Sequence, residues 1–111
     1  MTGSISEKDW KYLRSIEAEL LSGLCRKINQ GAADILRSKA GSEHDKYLKL
    51  YKHIEASDRI IADCFNDWSR SNLWFKLPLL RMHNLLTDEQ INHLSDESRE
   101  LLVRFAALDK S

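Results

Sequence analysis

Proline occurs once and glycine four times in this 111-residue chain, and no run of β-branched residues is present, so a sheet and its turns have little to be built from. The chain reads as all-α and as one domain over residues 1–111. Charge of one sign is also missing, with lysine plus arginine and aspartate plus glutamate at 17 each. No net field therefore draws the protein to nucleic acid, an anionic membrane or an acidic substrate. No apolar stretch approaches the ~20 residues of a membrane span, and Met1 to Ser6 lack the apolar core of a signal peptide. Cysteine is confined to Cys25 and Cys64, without a Cys-x-x-Cys or Cys/His cluster. Free thiols in helical surroundings agree with a reducing compartment, so a cytoplasmic location is expected.

Signatures of chemistry are equally scarce. Carboxylate-bridged metal sites in helical bundles use Glu-x-x-His pairs, yet the residues three before the four histidines are Gly41, Leu50, Leu80 and Gln90. His-Glu-x-x-His, calcium-loop and glycine-rich phosphate-loop spacings do not occur either. His53 and Cys64 share a helical face but lie about three turns apart, too far for a base and its nucleophile. Neither a metal nor a cofactor is expected, and the balance of signals is against an enzyme.

What the chain does carry is a set of helix starts. Ser6, Ser42 and Thr87 each precede acidic or amide residues at capping-box spacing, and Asn84 suits a left-handed helix end. From Ser6 a first helix directs Trp10, Leu13, Ile16, Leu20, Leu24 and Ile28 to one side, with Gly31 expected to weaken or bend it. A second helix runs without glycine or proline from Glu43 to about Arg70, and Ala40-Gly41-Ser42 fits a tight return between the two. Pro78 either kinks a third helix or sits in its first turn. The last helix is expected from Asp88 to about Leu108. The predicted architecture is a long antiparallel helical hairpin with a shorter C-terminal helical hairpin, bundle-like.

The second helix has a heptad stripe of His44, Tyr47, Tyr51, Ile54, Asp58, Ile61, Phe65 and Trp68, and Asp58 is its one carboxylate. A charge on a packing seam is costly unless paired. In a hairpin turning near Gly41, Lys27 and Arg26 are its nearest cations, and the expectation is an ion pair or a register-fixing residue at a dimer seam. The alternative makes Asp58, Glu17 and Glu55 the walls of a carboxylate-lined pocket for a small ligand or a reaction.

Leu73 to Leu86 is the most apolar part of the chain, with a basic flank, and this composition is enriched at interface hot spots. Trp68, Trp74, Phe75, Leu77 and Arg81 are the candidate partner-binding residues. The same segment, Arg70 to His83, could contact nucleic acid weakly, although the acidic start of the last helix opposes phosphate. Because the first helix has an apolar face wider than one partner covers, a homodimer is expected. The sequence thus points to a small cytoplasmic protein acting by protein-protein contact as an adaptor, regulator or assembly subunit, with no membrane role.

Overall fold

The computed structural model describes residues 3–109, and among these the elements are five α-helices and no strand. They are α1 (Glu7–Arg37), α2 (Glu43–Phe65), α3 (Arg70–Met82), α4 (Asp88–Asn92) and α5 (Asp96–Asp109). Each cap anticipated from sequence is formed. Ser6, Ser42 and Thr87 accept from the backbone N–H three residues on, and Ser42 and Thr87 complete reciprocal boxes with Asp45 and Gln90. Gly41 and Asn84 adopt the left-handed backbone, φ 78° and 58°, that reverses the chain after α1 and α3.

Two helices differ from expectation at their ends. α2 stops at Phe65 because Asp67 turns left-handed, φ 56°, and Ser69 caps a new helix. Trp68 therefore lies in the connecting turn rather than on α2. The last helix is broken into α4 and α5 at His93 to Ser95, where the Ser95 side chain accepts from Ser98 N–H and the Ser95 carbonyl takes the first bond of α5. Pro78 lies inside α3, so the Trp74 carbonyl has no helical donor there.

Gly31 does not interrupt α1, which is continuous for 31 residues. Its role is at the α1–α2 interface. A Cβ at Gly31 would stand 2.7 Å from Cε1 of His53, so the missing side chain lets the imidazole lie against α1 and donate from Nε2 to the Ile28 carbonyl at 2.8 Å. One turn on, the buried Ser57 donates to the His53 carbonyl at 2.7 Å. The stripe of α2 that packs on α1 is thus Leu50, His53, Ser57, Ile60 and Cys64, itself spaced three and four apart. The aromatic stripe beside it is a correction to the sequence reading: Tyr47, Tyr51 and Ile54 are exposed, and only Ile61, Phe65 and Trp68 reach the core. A strict 3.5-residue repeat drifts by about 20° per heptad around a straight helix, which carries one stripe from solvent to core along α2.

The core is made by Leu13, Leu20 and Leu24 of α1, Cys64 and Phe65 of α2, Leu73, Leu77 and Leu80 of α3, and Leu101 and Leu102 of α5. No residue from Cys25 to Ala56 is buried. The outer halves of α1 and α2 therefore project from the body as a two-helix arm. The radius of gyration of 16.6 Å, against the ~13 Å of a compact chain of this length, has the same origin.

The body is closed from its N-terminal end. Ile5, 1% exposed, donates its N–H to the Arg70 carbonyl and accepts from Arg70 Nε, both at 3.0 Å. Asp9 is fully buried. It does not reciprocate with Ser6; its carboxylate instead accepts from Ser95 N (2.9 Å), Ser95 Oγ (2.6 Å) and Ser98 Oγ (2.6 Å). A carboxylate from the first turn of α1 thereby caps the N-terminus of α5, where the helix dipole favours an acceptor.

Candidate functional site

α3 has two apolar stripes. Leu73, Leu77 and Leu80 face inward with no exposed surface. Phe75, Pro78, Leu79 and Met82, on the other side at helical spacing, look toward α5 and solvent. From α5 come Leu102, Phe105 and Ala106, which leave between the helices an apolar groove of about 420 Å³. Phe75 is 66% exposed, Met82 56% and Phe105 46%. Arg81 stands at its edge, donating to the Leu86 carbonyl at 3.1 Å and to Asp88 at 3.2 Å. Ordered by these bonds, the guanidinium loses little further freedom on contact with a partner.

Of the five residues marked from sequence for a partner surface, the groove unites Phe75 and Arg81. Leu77 cannot belong to that surface, because its place on the inward stripe buries it completely. Trp74 is half-buried against the core. Trp68 stacks on Phe65, ring centroids 5.7 Å apart, and donates from Nε1 to the Cys64 carbonyl at 2.7 Å. Its indole acts as the plug of the α2–α3 turn. Met82, Leu102 and Phe105 were missed. The signal available for Met82 was its helical spacing from Phe75 and Leu79.

The residues marked around Asp58 do not converge. Asp58 and Glu55 are exposed on α2, Glu17 is half-buried on α1, and no hydrogen bond or ion pair reaches Asp58 among the described residues. Lys27 is not its counter-ion, since its ammonium points to the His83 and Asn84 carbonyls at 3.4 and 3.3 Å. That position compensates the exposed carbonyls at the end of α3. Arg26 lines a shallow surface hollow with Cys25 and Asn29 instead.

The basic segment is also spoken for. Arg70 donates to Ile5, Lys76 to the Asp63 carbonyl at 2.8 Å, and Arg81 to Leu86 and Asp88. A phosphate would have to compete with each of these bonds. Among the described residues no group of three or more His, Cys, Asp and Glu could hold a metal, and no helix is long and apolar enough to cross a membrane. Cys25 and Cys64 are unpaired. Burial pushes the Cys64 thiol above its ordinary pKa, the neighbouring Asp63 charge adds to the rise, and Lys76 opposes it. Cys64 is thus held as a thiol rather than a nucleophilic thiolate.

Comparisons with family models, with curated proteins and with solved structures return no match to this chain.

Proposed function

We propose that this chain is a cytoplasmic, homodimeric protein that works by protein-protein contact, as an adaptor, regulator or assembly subunit, and has no catalytic role. The observation that carries the reading is the apolar groove between α3 and α5, which the chain's own fold leaves open. Exposed side chains of this size gathered in one concavity are costly to keep in water, and they suit the apolar face of a helix from a second protein. Phe75, Met82 and Phe105 would supply the anchors, and Arg81 at the edge would meet an acidic or carbonyl group of that helix.

The carboxylate-pocket alternative has less support than the groove, because Asp58 and Glu55 are exposed on α2. Nucleic-acid binding has little support while Arg70, Lys76 and Arg81 are engaged within the chain.

A photoreactive phenylalanine analogue in place of Phe75, expressed in the native host, tests the groove. It is expected to give a discrete cross-linked species that disappears when Met82→Asp is added and that does not form from the exposed Lys49 position. Equal labelling from both positions, or persistence of the species in the Met82→Asp background, would remove the groove from the account.

A further inference from the structure

The arm has too little of its own to stand on. Outside the body, α1 and α2 have only each other, and on their shared line Gly31 and His53 stand among the few half-buried apolar side chains, Leu50, Ile28 and Ile35, none of them fully buried. Isolated helices of this length are marginal in water without tertiary packing. The arm nevertheless exposes large apolar residues: Tyr47 is 62% exposed, Tyr51 57%, Ile54 42%, Leu48 40% and Leu36 56%. Four of these lie on α2, three of them on the heptad stripe adjoining the line that packs on α1. α2 is therefore equipped for two helical neighbours and has one.

We propose that the missing neighbour is α2 of a second copy, packed antiparallel about a two-fold axis, so that two arms form a four-helix bundle. This rests on the interaction reading above and gives its homodimer a seam and a register. With His44, Tyr51 and Asp58 at one seam position and Tyr47, Ile54 and Ile61 at the other, antiparallel packing sets each member of one set against a member of the other. The register that covers the whole exposed stripe puts Tyr51 opposite Ile54 of the second copy, Tyr47 opposite Asp58, and His44 opposite Ile61. The overlap is then about 27 Å.

Asp58 selects this register. In it the Tyr47 hydroxyl of each chain meets the Asp58 carboxylate of the other, a donor for the one charge on the seam. A slide of one heptad toward the turn sets Tyr47 against Tyr51, strands Asp58 past the end of the overlap and shortens it. A slide the other way sets Asp58 against Ile54, which offers no donor. On the flank, the chosen register brings Lys52 beside Glu55 of the second copy, so the charges there are complementary. The exposed apolar area amounts to on the order of 1,000 Å² over both faces, at the lower bound for a specific interface. The dimer is accordingly reversible at micromolar concentrations and not obligate.

Sedimentation equilibrium of the full chain from ~1 μM to ~1 mM reads this directly. The expected result is a concentration-dependent dimer that Tyr51→Glu abolishes without altering helical circular dichroism, and that Phe75→Ser leaves intact. Tyr47→Phe and Asp58→Asn should each weaken it about fivefold, and the double variant little more than either, because both remove the same hydrogen bond. Additive effects of those two substitutions would overturn the register. A dimer that survives Tyr51→Glu and dissociates in Phe75→Ser would overturn the arm seam while leaving the protein a homodimer. A parent chain monomeric at the highest concentration would overturn the arm seam and the homodimer together, and the cross-linking at Phe75 would still decide the groove.

Discussion

Asp9→Ala should be among the most damaging single substitutions in the chain. The Asp9 carboxylate is buried and accepts three hydrogen bonds, from Ser95 N–H, Ser95 Oγ and Ser98 Oγ. Alanine would leave the Ser95 N–H and both hydroxyls facing a cavity from which water is excluded. Hydrogen bonds to a charged acceptor contribute ~1.5 kcal/mol or more each, and loss of a helix cap costs ~1 kcal/mol. Burying the carboxylate has its own cost, and the serine hydroxyls can turn to other acceptors, so the net loss is placed at about 3 kcal/mol. Asp9→Asn retains the shape and one acceptor oxygen and should cost about half as much. Urea unfolding at neutral pH measures both, with a companion fall in Tm of roughly 10 °C for the alanine variant. Ser98→Ala in the Asp9→Ala background should cost less than it does in the parent, since its partner is already gone. An Asp9→Ala chain that unfolds within ~0.5 kcal/mol of the parent would refute the account of how α1 and α5 are joined.

Gly31→Ala and Gly23→Ala form a matched pair on one helix. Nothing lies within 4 Å of a Cβ at Gly23, so that change should stabilise by up to ~1 kcal/mol, whereas at Gly31 the new Cβ displaces the His53 ring from Ile28 and should destabilise by about 1–2 kcal/mol; chemical denaturation gives both signs. The Cys64 thiol, raised from its ordinary 9.0, favours the folded chain only while protonated. Its contribution is full below pH 9.0 and is lost as pH rises through the higher folded pKa, so urea midpoints should decline in that window and decline less in a Cys64→Ala variant corrected for its own baseline. Under native conditions a thiol reagent should modify the half-buried Cys25 well before Cys64, and equal rates would contradict the burial of Cys64.

The caps, the turn at Gly41 and the left-handed Asn84 were legible because each is decided by residues within a turn or two of itself. The choice between two stripes on α2 was not. Both are spaced three and four apart, and the one that packs on α1 includes His53 and Ser57, whose polarity argues for solvent until the backbone carbonyls that receive them are known. Asp9 misled for a related reason: three residues after a serine, it reads as half of a local box, and its true partners are 86 and 89 residues away. The break before α5 depends on that same distant carboxylate. Of the groove, Phe75 and Arg81 could be named from composition and Met82 from its spacing on the same helix, but Leu102 and Phe105 join them only once α3 and α5 are set side by side.

The long reach of Asp9 also dictates an order of events during synthesis. Contacts within the arm join residues close in sequence and can form as soon as α2 has been made, whereas the body cannot seal until Ser98 emerges and closes a loop of 89 residues. Until then the nascent chain displays the apolar side of α1, and that of α3 once it has been made, without α5 to cover them. A ribosome that stalls short of Ser98 would release a product with an open body and an arm that has no sealed base to stand on, a ready substrate for chaperones and proteases.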